Sequence, residues 1–143
     1  MYLTKRIKGK ELLTFIPAQI LGCLLGVMLA NVFFEHSIIE LSTKNRDGFH
    51  IFLSEIVATF GLIFIIFATL KDGKTTVAAC VATYISAGYW FTSSTSFANP
   101  AVAIARTFTD SFTGINYLNT PTYIFAELLG AIVAIYIIKR LIK

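Results

Sequence analysis

The sequence predicts an all-α membrane protein: four transmembrane helices plus one re-entrant half-helix that enters the membrane without crossing it. Three observations predict it. Apolar residues fill 56% of the 143 positions and charged residues only 14%, against about 25% charged in an ordinary soluble domain. Four apolar runs each approach the ~20 residues a helix needs to cross ~30 Å of hydrocarbon. Between the third and fourth runs lies a segment that begins with hydroxyl-bearing residues and is too short to span. A soluble domain of this length would need far more polar surface over its core. The composition therefore excludes a soluble globular protein, a disordered chain and a nucleic-acid-binding domain, and makes the lipid bilayer the first partner.

The first span is read from Leu12 to Phe34. It is too long for a signal peptide and lacks a cleavage site. Small residues recur along it at Ala18, Gly22, Gly26 and Ala30, a stripe that lets helix backbones approach closely in lipid. The second span runs from Ile51 to Leu70, with no charge after Glu55. His36 and His50 fall in the loop between these spans and read as surface residues. The third span covers Thr75 to Phe91 and ends on Tyr89 and Trp90, a pair suited to the membrane–water interface. The fourth covers Thr122 to Ile142.

The short segment opens with Thr92-Ser93-Ser94-Thr95-Ser96 and continues through Phe97-Ala98 to Asn99-Pro100-Ala101-Val102. Asn is a good N-cap and Pro is favoured at the first helical position, so a half-helix is predicted over about 99–109. Such a helix at membrane depth is tolerated only when buried in protein or lining a water-filled cavity. Its N-terminus carries partial positive charge and unpaired N–H groups. The Asn99 amide can donate to a passing water or hydroxyl, and the backbone carbonyls of Ser96-Phe97-Ala98 can accept. Donors on one wall and acceptors along another are what a pore selective for neutral polar molecules needs.

Charge sets the expected orientation. With four spans, both termini and the Lys71–Lys74 turn share one side, which carries Lys5, Arg6, Lys8, Lys10, Lys71, Lys74, Lys139, Arg140 and Lys143. The other side carries Lys44, Arg46 and Arg106. The positive-inside rule puts both termini in the cytoplasm, for a multi-pass protein of the cell membrane. Cys23 and Cys80 lie inside apolar runs, with neither a disulfide framework nor metal-ligand spacing. No nucleophile–base pair appears either, so no catalytic residue, metal or cofactor is expected.

The first and last spans resemble each other. Phe15-Ile16-Pro17-Ala18-Gln19-Ile20-Leu21-Gly22 aligns with Tyr123-Ile124-Phe125-Ala126-Glu127-Leu128-Leu129-Gly130 at an offset of 108. The counterpart of Asn99 would then precede Met1. The chain reads as one complete repeat plus the last helix of a preceding one.

With the repeat and the Asn99-Pro100-Ala101 motif together, the chain resembles the carboxy-terminal part of an aquaporin, or major intrinsic protein, over nearly its whole length. The segments Ile16–Gly22, Ser54–Phe60 and Phe125–Gly130 carry the rest of the resemblance. It implies a truncated aquaporin fold, a partial channel domain over residues 1–143, lacking two spans and a first motif. It also implies a homo-oligomer, a tetramer by family habit, and a missing amino-terminal half as a further partner. Position by position, the resemblance makes Asn99, Pro100 and Ala101 the pore motif and Ala87, Ser96 and Val102 the selectivity filter. An Arg normally stands where this chain has Val102, so a wider and less charged filter is implied. Arg106, one turn on, is a candidate substitute for it, or else a side chain that snorkels to the interface. The stretch Ser94–Val102 with Ile104-Ala105-Arg106 resembles bacterial aquaglyceroporins associated with arsenic resistance, which implies small neutral solutes such as glycerol and metalloid acids. Glu55 is read as the buried acceptor that supports the Thr92–Ala98 loop, because that irregular backbone must be satisfied somewhere. Gln19 and Glu127 read as structural, with pore contact as the lesser reading.

The function expected is thus a passive channel for water or small neutral solutes, incomplete as it stands. Two other readings stand beside it: a non-conducting truncated product, and a small four-helix transporter working as an oligomer. Against the transporter, the acidic residues lie near span ends rather than deep within them.

Overall fold

The regular structure of the described residues, 8–141 of a computed structural model, is entirely helical. Lys5, Arg6, Lys143 and Ile142, which enter the charge count and the fourth span above, lie outside the described residues. In chain order the helices are α1 (Gly9–Phe33), α2 (Phe49–Thr69), α3 (Lys74–Phe91), α4 (Pro100–Ala105) and α5 (Thr120–Leu141). Short 3-10 turns follow α2 at Leu70–Asp72 and α4 at Arg106–Phe108. Three helices are long and apolar enough to cross a membrane: α1, α2 with its turn, and α5. The 18-residue α3 carries Lys74, Thr75, Thr76, Thr83 and Ser86 and is less apolar. Only 6% of the most apolar stretch of α1 is buried. Leu25, Phe33 and Trp90 likewise point outward, an arrangement that water penalises and lipid does not.

Local chemistry explains the boundaries. The Glu11 carboxylate accepts the Lys8 N–H at 2.6 Å and closes the first turn of α1. Gly48 and Gly73 precede α2 and α3 with φ of 102° and 94°, a backbone region that L side chains rarely adopt.

The chain forms two compact units. One takes the chain up to Arg46 together with Pro100–Pro121; the other takes Asp47–Asn99 and the chain from Thr122 onward. The division falls between Asn99 and Pro100.

In the first unit α4 packs on α1 and buries Ala101, Ala103 and Ala105. The helix is short, so its end carbonyls need outside donors. Ile115 N–H donates to the Arg106 carbonyl at 3.2 Å and Ser42 N–H to that of Thr107 at 3.0 Å. The Asn31 side-chain amide, 2% exposed, donates to the carbonyls of Phe108 at 3.0 Å and Ile38 at 3.2 Å. Beyond the turn, Asp110 accepts the Thr43 N–H at 3.0 Å and the Ser42 and Thr43 hydroxyls, with Lys44 Nζ at 3.8 Å. The Thr43 N–H, above all, holds the Asp110 carboxyl below its ordinary range.

In the second unit α2 and α3 pack together. Gly61 leaves room for the Tyr84 hydroxyl, which donates to the carbonyls of Ala58 at 3.0 Å and Val57 at 3.3 Å. A Cβ added at Gly130 of α5 would sit 2.5 Å from the Ile56 carbonyl oxygen of α2. The small-residue stripe Ala126, Gly130 and Ala134 is thus a close-packed face. The matching stripe of α1 behaves differently: a Cβ at Gly22 or Gly26 meets no described atom within 4 Å. The close approach expected there is absent among the described residues, because Gly26 and Ala30 border a cavity instead.

Candidate functional site

The approach to the half-helix begins at Thr92, whose N–H and hydroxyl both donate to the Gly88 carbonyl, at 3.1 and 2.7 Å, and end α3. The Ser93 hydroxyl pairs with that of Ser54 at 2.8 Å. Thr95, Ser96 and Ala98 then adopt φ of 67°, 53° and 50°. None is glycine, and a left-handed non-glycine residue costs about 1–3 kcal/mol and persists only where its surroundings over-determine it.

The surroundings are two buried carboxyls. Glu55 of α2 is fully buried; its Oε1 accepts the Phe97 N–H and its Oε2 the Ala98 N–H, both at 2.9 Å. Glu127 of α5 is 1% exposed, and its Oε1 accepts the Asn99 N–H at 3.1 Å. An extended chain would send the N–H groups of Phe97 and Ala98 to opposite sides; the left-handed turns bring both to one carboxylate. Ser96 N–H donates to the Ser94 hydroxyl at 3.3 Å, and the Phe97 ring lies 5.1 Å from that of Tyr123, centroid to centroid. The buried N–H groups at 96, 97 and 98 and the half-buried one at 99 all have acceptors, as an irregular segment away from water requires.

Pro100 then opens α4, where its missing N–H costs nothing. Asn99 is half-buried and Ala101 buried. Among the filter residues named from the sequence, Ala87 is exposed on α3. Ser96 is buried with its hydroxyl against Gly88, 2.7 Å from where a Cβ there would stand. Ser96 therefore lies beside the residue that follows Ala87. In the first unit, Val102 and Arg106 line one cavity of about 220 Å³ with Cys23, Gly26, Val27 and Ala30 of α1. The structure brings Val102 and Arg106 together in that cavity, and Ser96 next to α3.

Two residues escaped the sequence reading. Glu127 reads as structural from the sequence, which does not say what it holds: the amide of the motif's first residue. The signal for it is the one that singled out Glu55: a lone acid in an apolar run. Asn31 sits near the end of the first apolar run, where a polar residue reads as interface; nothing in the sequence ties it to Phe108. No cluster of three metal-binding side chains occurs among the described residues, and Cys23 and Cys80 are free thiols.

Over 141 residues, 99% of the chain, the sequence is 41% identical to the aquaglyceroporin AqpS of Rhizobium meliloti (strain 1021). The chain spans 60% of the length of that relative. No protein-family model matches the chain, and no solved structure does.

Proposed function

We propose that the chain, 41% identical to an aquaglyceroporin over 99% of its length, belongs to the aquaporin, or major intrinsic protein, family and forms part of a passive membrane channel for water or small neutral solutes. The observation that carries this reading is the approach loop: a buried, left-handed segment, held at Phe97, Ala98 and Asn99 by two buried carboxyls, that leads into the helix opened by Pro100. A protein does not hold three strained residues in place unless the backbone there has work to do. On this reading α3 is a fourth span, α4 with its turn is a re-entrant half-helix, and Asn99-Pro100-Ala101 lines the conducting path.

Solute size follows from the cavity beside α4. With Val102 in place of an arginine, that position offers neither charge nor hydrogen-bond donors and carries a smaller side chain, which favours solutes of the size of glycerol or a neutral metalloid acid. The name of the relative, an aquaglyceroporin, points the same way. Ala87 and Ser96 are the other filter positions that the family resemblance implies. Arg106, which borders the same cavity as Val102, supplies a cation one turn away. The channel sits in the cell membrane as a homo-oligomer, with both termini cytoplasmic.

The test is solute flux into liposomes. A chimaera joining the part of AqpS that the match leaves uncovered to this chain should pass glycerol well above empty vesicles, with no dependence on a proton or sodium gradient. The 143-residue chain alone should not exceed empty vesicles, because one half-helix does not close a pore. Glycerol flux of the chimaera at the empty-vesicle level would end the proposal.

A further inference from the structure

Two acids in apolar helices hold the approach loop, and they do so unequally. Glu55 uses both oxygens, one on each of Phe97 and Ala98. Glu127 uses one, on Asn99, while its Oε2 is buried without a hydrogen-bond partner. Three consecutive backbone N–H groups are therefore divided two to one between α2 and α5. We propose that Glu127 is a positioning residue for Asn99 that works as a single-oxygen acceptor, whereas Glu55 works as a two-oxygen acceptor. Resting on the channel reading above, this makes Glu127 the residue that fixes the backbone from which the Asn99 side chain meets a solute.

Side-chain chemistry makes the division testable. Glutamine has one acceptor oxygen and an NH₂ group that only donates. At position 127 it keeps the oxygen for the Asn99 N–H and turns its NH₂ to the side that Oε2 now occupies, where no backbone N–H opposes it. At position 55 it must set an NH₂ group against a backbone N–H, donor against donor. Glutamine should replace Glu127 and fail to replace Glu55. A second observation agrees: the internal repeat places Gln19 at the position equivalent to Glu127.

The experiment is residue-resolved amide hydrogen exchange by NMR on the ¹⁵N-labelled 143-residue chain in detergent micelles. In the wild type the amides of Phe97, Ala98 and Asn99 should all exchange slowly. Glu127→Gln should leave all three within about threefold. Glu127→Leu should speed Asn99 at least about tenfold while Phe97 and Ala98 stay protected, as loss of one buried hydrogen bond to an acidic acceptor requires. Glu55→Gln should speed Phe97 or Ala98 at least about tenfold and leave Asn99 slow. Loss of Asn99 protection in Glu127→Gln, or its persistence in Glu127→Leu, would overturn the proposal. Should Glu127→Leu not fold, the contrast between the two glutamine variants decides alone. In the AqpS chimaera, Glu127→Gln should retain glycerol flux that Glu127→Leu loses. A wild-type chimaera without flux would refute the channel reading, while the exchange pattern would still decide the role of Glu127.

Discussion

On the proposed channel reading, Val102 stands where one side chain changes both width and charge. In the AqpS chimaera, Val102→Arg should cut glycerol passage about 10–200-fold, the scale of a methylene-sized misfit in a pocket, and cut water passage much less. Equal loss of both solutes would mean plugging or misfolding and would remove the selectivity argument. If Arg106, in the same cavity, already acts as the filter cation, the pattern reverses: Val102→Arg changes little and Arg106→Ala admits larger solutes. Gly130 offers a second measurement. Its Cβ would stand 2.5 Å from the Ile56 backbone oxygen, so Gly130→Ala should lower stability by about 1–3 kcal/mol through overpacking, read as a lower thermal midpoint in detergent. Gly26→Ala, which meets no described atom within 4 Å, should be nearly neutral in the same assay. The sequence shows both glycines in matching stripes and cannot say which stripe is packed. It does show Glu55, because an acid in an apolar run and a later loop in need of acceptors are both visible in one dimension. The left-handed turns at Thr95, Ser96 and Ala98 are not visible, since no glycine marks them and the carboxyls that enforce them come from distant helices.

At the scale of elements, α4 is too short to hold itself. An isolated helix of six residues is far below the length that is stable in water, and its burial and its borrowed donors do the work. Asn31→Ala should take the side-chain donor from the carbonyls of Ile38 and Phe108, the second of which keeps the Glu40 N–H at 3.4 Å, and cost about 0.5–1.5 kcal/mol. Asn31→Asp should do no better, because a carboxylate has no N–H to donate. Thermal unfolding of the two variants checks this. The loop beyond α4 has its own pH dependence. The folded carboxyl of Asp110 is depressed below that of an unfolded aspartate, so the tie to Ser42, Thr43 and Lys44 contributes above the unfolded value, about 3.9. That contribution is lost as pH falls through the lower folded value. The Thr43 amide resonance should titrate below about pH 3.9 in the wild type and not at all in Asp110→Asn. Asn99 and Pro100, in a segment too short to span, make this short helix legible from the sequence. Its anchors were not legible, because Asn31, Ser42 and Ile115 are ordinary residues made useful only by where the chain returns.

For the whole molecule, orientation is the first quantity to measure. In a variant lacking Cys23 and Cys80, a cysteine at Asn45 should react with an impermeant reagent from outside intact cells, and one at Gly73 should not. The opposite pattern would invert the assigned topology. The two carboxyls carry a further consequence for how the protein is made. An acid at the centre of a spanning helix costs roughly 2.5–3.5 kcal/mol on insertion scales, and less toward the interface. During synthesis α2 reaches the membrane before residues 97 and 98 do, so Glu55 must enter with no amide to meet it. Glu127 arrives after Asn99 has been made and can dock on entry. The burden of biogenesis therefore falls on the earlier acid: replacing Glu55 with leucine should ease insertion of α2 while ruining the finished loop, so that membrane yield and correct assembly move in opposite directions.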